Sequence, residues 1–138
     1  VSRALLDRVV VPVADADDAR ATADALGDYE CADVIAIHVI EKGGGTPDKI
    51  PMEQAEQRAE AAFEAFRDVI PDAETEIAYN THVVDGVFEV AAERSASAIA
   101  FQPRGGSRLT QFLEGDPALK LITGAERPVI ALPEEHDE

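Results

Sequence analysis

The residues best suited to chemistry lie between Phe101 and Pro117. This stretch follows a short apolar run, Ala98 to Phe101, and precedes a helical pattern from Pro117 to Ile122. A glycine-bearing loop at a strand–helix junction can seat a phosphate. Glycine lets the backbone approach an anion, and the first turn of the helix presents free N–H groups. Gly105, Gly106 and Gly115 supply that freedom, while Arg104, Ser107 and Arg108 either draw in an anion or stay solvated. Other residues oppose the seat. Gln102 brings in a side chain, Pro103 lacks an N–H, and Asp116 places a carboxylate at the predicted N-cap, where a phosphate would lie.

The remaining candidates are weaker. Asp15, Asp17 and Asp18 follow an apolar run at a spacing that suits either a metal or a capped helix with an acidic surface. The helix dipole favours acids in a first turn, and capping is the preferred reading. His38 sits inside a strand pattern with no partner at a recognisable spacing, which points to a hydrogen-bonded structural histidine. Gly43-Gly44-Gly45 lacks the strand–glycine–Lys–Ser order of a phosphate loop and reads as a connection. Neither Cys31 nor any serine falls on a nucleophile elbow, and no Ser–His–Asp set can be placed. No catalytic residue and no metal ligand is assigned.

These residues depend on the elements that carry them. Arg8 to Ala14 is short, β-branched and apolar, as in a strand buried on both faces, with Pro12 near its end. A helix follows from Asp15 to a stop at Gly27, and Asp33 to Ile40 repeats the strand pattern. Pro51 opens a long helix whose inner stripe carries Ala55, Ala59, Ala62, Phe63 and Phe66. Glu74 to Val84 alternates, which predicts a half-polar edge strand with His82 toward solvent. Asp85-Gly86 reads as a break before a short helix, Val87 to Arg94. Ser97 to Phe101 is a strand, the glycine loop and a helix ending at Gly124 follow, and Pro128 to Pro133 is a last strand. Such alternation predicts an α/β fold, a Rossmann-like three-layer sandwich around a parallel sheet, with two helices on each face. Ligands in such folds sit beyond the carboxyl ends of the strands, where strand order reverses. Ala14-Asp15-Ala16 and the glycine loop therefore share one crevice.

Bulk properties narrow the function. The 138 residues suffice for a single domain, 1–138, and hydrophobic residues at 46% exclude disorder. With aromatics at only 5% and no Trp, the core must be built from Val, Ile, Leu and Ala. The net charge of −16 leaves no basic face for nucleic acid. It also predicts self-repulsion that molar salt would screen, the balance of a halophile's cytoplasmic protein. The single Cys31 excludes a disulfide framework. No apolar run approaches the ~18 residues of a membrane span, and no signal pattern opens the chain.

Taken together, the pieces resemble the universal stress protein family over nearly the whole chain. Val10-Val11-Pro12-Val13 is similar to the family's first strand, Ile37-His38-Val39 to its second, and Pro128-Val129-Ile130-Ala131 to its last. Val84-Asp85-Gly86 and Ala91-Ala92-Glu93 match its third helical region. The family's nucleotide motif is Gly, two residues, Gly, nine residues, Gly, then Ser or Thr; Gly105 and Gly115 keep the nine-residue spacing. The resemblance implies five parallel strands in the order 3-2-1-4-5. It also implies a homodimer, commonly through the last strand, here Val129, Ile130, Ala131 and Leu132. A short apolar edge strand is itself a ready pairing surface.

In ATP-binding members the first strand ends in an Asp that contacts the nucleoside. Pro12, Val13, Val39, Gly105, Gly106, Ser107 and Gly115 remain as candidate crevice residues, but that Asp is replaced by Ala14, the motif's first Gly by Gln102, and its closing hydroxyl by Asp116. The Ala14 side chain accepts no hydrogen bond, and a carboxylate ~4 Å from a phosphate repels it by ~1 kcal/mol in water and ~4 kcal/mol at an effective dielectric near 20. The reading is a regulatory protein that acts through dimerisation and an unidentified protein partner, without a cofactor. The alternative is an altered pocket for ATP or AMP with Mg²⁺, with slow hydrolysis. A phospho-receiver would need a Lys after the last strand, where Pro133-Glu134-Glu135 stands.

Overall fold

The computed structural model describes residues 4–41, 52–102 and 124–133. Strands β1 (Arg8–Pro12), β2 (Asp33–Glu41), β3 (Glu74–Asn80), β4 (Ala98–Phe101) and β5 (Val129–Ala131) form one parallel sheet in the order β3-β2-β1-β4-β5. Helices α1 (Ala16–Leu26), α2 (Met52–Val69) and α3 (Val83–Glu93) connect them. The sheet order is the expected one. The helix expected from Pro117, and with it the glycine loop and Gly43-Gly44-Gly45, lies outside the described residues.

The central strands are apolar at most positions away from their ends, because both faces are covered, with His38 of β2 as the buried polar exception. Val9, Val11, Val34, Ala36 and Ala100 share a core with Ala19, Ala23 and Leu26 of α1 and Ala62, Phe63 and Phe66 of α2. Val10, Ile35, Ile37 and Ile99 point the other way, into a core with Val87, Val90 and Ala91 of α3. Period-two side chains on the strands thus meet period-3.6 stripes on the helices. Small alanines let α1 and α2 lie close to each other, and Phe63 and Phe66 fill the core they share with the strands.

The expected break at Asp85-Gly86 is not one. β3 stops at Asn80, and both residues lie in the first turn of α3, where the Gly86 N–H bonds His82 O at 3.1 Å. Gly86 is required by proximity instead: a Cβ there would lie 2.7 Å from Val39 Cγ1 and 3.0 Å from Val39 Cγ2. The glycine lets α3 press onto β2. The helix closes with Ala96 N–H bonding Ala91 O and Ser95 N–H bonding Ala92 O, the Schellman pattern, with Ser95 at φ 54° in the left-handed position that glycine usually takes.

Candidate functional site

Strand order reverses between β1 and β4, so the crevice belongs beyond their carboxyl ends. Pro12 limits the β1–β4 ladder there. Ser97 N–H bonds Arg8 O, and Val13 N–H bonds Ile37 O. Hydrogen-bonding sides alternate along a strand, so Arg8, Val10 and Pro12 address β4, while Val9, Val11 and Val13 address β2. Pro12 has no N–H to continue the ladder toward β4. The paired register there is Val9 with Ala98 and Val10 with Ile99.

The peptide group just past this point is held from two sides. His38, buried on β2, donates from Nδ1 to Val13 O at 2.9 Å. A carbonyl only accepts, so Nδ1 carries the proton. Ala14 N–H, the other end of that peptide group, donates to Asp18 Oδ2 at 2.8 Å. Asp15 is the N-cap of α1, and its Oδ1 accepts from Asp18 N–H at 2.8 Å. Asp15 and Asp18 thus form a variant of the capping box, displaced so that the second acid bonds the residue before the cap.

Asp15 takes the capping role expected of it. Asp18 does not line an acidic surface, because its side chain is folded under the strand end and the residue is 3% exposed. His38 has the hydrogen-bonded structural role expected of it. The Asp15–Asp18 pair was legible in its i, i+3 spacing; the bond from His38 to a strand distant in sequence was not. Among the described residues no group of three or more His, Cys, Asp and Glu is arranged for a metal ion, and no helix is long and apolar enough to cross a membrane.

Pro12 and Val13 are buried, Ala14 and Val39 half-buried. Gln102 ends β4, but its side chain is 2% exposed and its Nε2 donates to Pro133 O at 2.9 Å, beyond the end of β5. Gly105, Gly106, Ser107, Gly115 and Asp116 lie outside the described residues. On β5, Val129 and Ile130 are half-buried and Ala131 is exposed, whereas Leu132 is packed into the core and its N–H bonds Phe101 O. Leu132 is therefore not part of an open edge. His82 faces solvent, as expected.

Several other polar side chains have structural partners. Ser97 accepts from Arg8 N–H at 2.8 Å, and its hydroxyl lies within bonding distance of Leu5 O and Arg8 O. Arg94 ties the end of α3 to Glu74 and Glu76 of β3; the hydrogen bond to Glu76 is the main cause that raises its pKa. Tyr79 donates to Glu56 Oε2 at 2.6 Å.

A family model described as the universal stress protein family matches residues 6–133. A universal stress protein from Archaeoglobus fulgidus, solved in complex with dAMP, is similar at 22% identity over 94% of this chain and 99% of its own, with a TM-score of 0.63. A universal stress protein solved with cAMP matches at 18% identity over 94% and 98%, TM-score 0.65. UspA from Lactobacillus plantarum matches at 20% identity over 94% and 99%, TM-score 0.64. No curated protein matches the sequence significantly.

Proposed function

The chain belongs to the universal stress protein family, and from that premise we propose a stress-response protein that acts through self-association and contact with a protein partner, without taking ATP by the family's usual motif. The carrying observation is the Val13–Ala14 peptide group. Its carbonyl is taken by His38 and its N–H by Asp18, so the end of the first strand offers a ligand neither a side-chain carboxylate at position 14 nor a vacant backbone donor. The motif residues agree with this: Ala14, Gln102 and Asp116 each lack the group that ATP-binding members use there. The protein works in a salt-rich cytoplasm, where its charge of −16 is screened.

A second reading, nucleotide binding in an altered pocket with slow hydrolysis, is favoured by the relatives solved with dAMP and cAMP. Equilibrium binding of labelled ATP with Mg²⁺, and of AMP and cAMP, in molar KCl separates the two. The first reading expects no saturation at millimolar nucleotide; micromolar affinity would replace it with the second. The combined reversion Ala14→Asp, Gln102→Gly and Asp116→Ser is expected to create binding. If it creates none, the motif departures are not what closes the crevice.

A further inference from the structure

β5 has only the span Val129–Ala131, yet side chains extend its attachment to β4 at both ends. Before the strand, Arg127 Nε donates to Ala96 O at 3.0 Å. After it, Gln102 Nε2 donates to Pro133 O at 2.9 Å. The amide orientation is fixed by chemistry, because a carbonyl can only accept. Gln102 Oε1 finds no donor among the described residues, so the buried amide is held by its bond to Pro133. A glycine at position 102 could not make this tie.

The backbone bonds define which groups of β5 remain on its outer side. Ile99 N–H bonds Pro128 O, and Leu132 N–H bonds Phe101 O. By alternation Pro128, Ile130 and Leu132 address β4, while Val129 and Ala131 point away from it. Among the described residues no strand pairs with that outer side. The next outward position would be Pro133, but it has no N–H and its carbonyl is turned back to Gln102. On the other flank Arg127 lies in a bend, anchored to Ala96.

We propose that Gln102 and Arg127 are positioning residues that frame this edge and thereby fix how β5 pairs with β5 of a second copy. The inference rests on the self-association reading above. An antiparallel pair with its two-fold axis at Ile130 sets Val129 opposite Ala131 of the other copy and uses all the outward N–H and C=O groups of the strand. An axis at Ala131 would set Val129 opposite Pro133, which has no free group to offer; an axis at Val129 would set Ala131 opposite the bend at Arg127. The position that carries the motif's first glycine in ATP-binding relatives thus serves the edge strand in this chain.

The test is cysteine cross-linking in a Cys31→Ser background, in molar KCl, after light scattering has measured the oligomeric state. In the proposed register two Ile130 residues face each other as a non-hydrogen-bonded pair with Cα atoms about 4.5 Å apart, within disulfide reach. Two Ala131 residues are diagonal neighbours at about 7–8 Å, beyond it. Ile130→Cys is expected to cross-link and Ala131→Cys is not. Adding Gln102→Leu or the more isosteric Gln102→Met to Ala131→Cys is expected to release the register and let Ala131→Cys cross-link. Each variant is checked for native circular dichroism first, and Arg127→Leu serves in the same role if both Gln102 variants fail to fold. A monomer sinks the self-association reading and this inference with it. A dimer that cross-links at Ala131→Cys but not at Ile130→Cys, or whose pattern is unmoved by the framing substitutions, overturns the inference and leaves the dimer standing.

Discussion

His38 and Asp18 hold the two ends of one peptide group: the imidazole bonds Val13 O at 2.9 Å, and the carboxylate accepts from Ala14 N–H at 2.8 Å. One side chain comes from β2 and the other from α1, so the end of β1 is fixed between a neighbouring strand and the helix that follows it. The backbone at the carboxyl end of β1 is thereby oriented by protein groups.

The clamp predicts measurable stability. Asp18→Ala is expected to cost about 1–3 kcal/mol by leaving the Ala14 N–H without its acceptor, and Asp18→Asn less, since an amide oxygen can still accept. His38→Phe should cost a similar amount. Because both act on one peptide group, the double variant should depart from additivity by about 0.5 kcal/mol or more. Equilibrium urea unfolding in molar KCl reads all of these; additive losses would mean the two bonds are independent.

Gly86 is expected to resist substitution despite lying in a helix. Alanine would gain about 1 kcal/mol of helix propensity, but its Cβ would meet Val39 Cγ1 at 2.7 Å. Overpacking of this kind costs about 1–3 kcal/mol, so Gly86→Ala should be neutral to destabilising by about 2 kcal/mol. Combining it with Val39→Ala should cost less than the two losses added. A stabilised Gly86→Ala would show that α3 shifts freely on the sheet.

Tyr79 has a predictable pH signature. Its hydrogen bond to Glu56 is the main cause holding its phenol pKa above the ordinary tyrosine value, with desolvation and the Glu56 charge acting in the same direction. A raised folded-state pKa means the native state keeps the proton longer. The stability it lends is complete below the ordinary value of about 10 and is lost as pH rises through the raised one. In a phenolate absorbance titration, Tyr79→Phe should remove the late-ionising signal and Glu56→Gln should move it to lower pH. A late signal unchanged by Glu56→Gln would assign the shift to another cause.

Salt should stabilise the fold. With a net charge of −16, raising KCl from 0.1 M to molar concentration shortens the Debye length from about 10 Å to about 3 Å and screens the repulsion. A rise in Tm of about 5 °C or more, equivalent to roughly 1–2 kcal/mol for a domain of this size, is expected in thermal melts. An unchanged Tm would count against adaptation to high salt.

Composition and local pattern carried much of the fold. The apolar runs at Val9–Val11 and Val34–Ile37, the stripe ending in Phe63 and Phe66, and the proline and glycine stops suffice to place β1, β2, α1 and α2. They do so because burial on one or both faces imposes a period that can be read along the chain. The start of α3 was not legible in that way. Asp85-Gly86 has turn chemistry, and only the close approach of α3 to Val39 of β2 shows why a glycine stands inside a helix.

What the sequence by itself determined is the order of the described strands and helices and the parallel sheet they form. Both follow from residue type and spacing within a short window, whereas the departures at Ala14, Gln102 and Asp116 are visible only against the motif of the family. What only the tertiary structure decided is where the polar side chains are used. His38 reaches a carbonyl 25 residues away, Gln102 one 31 residues away, and Asp18 turns under the strand end instead of out to solvent. The His38 and Gln102 bonds depend on which strands lie side by side, and the burial of Asp18 on how tightly α1 packs against β1. Local propensity along the chain sets neither.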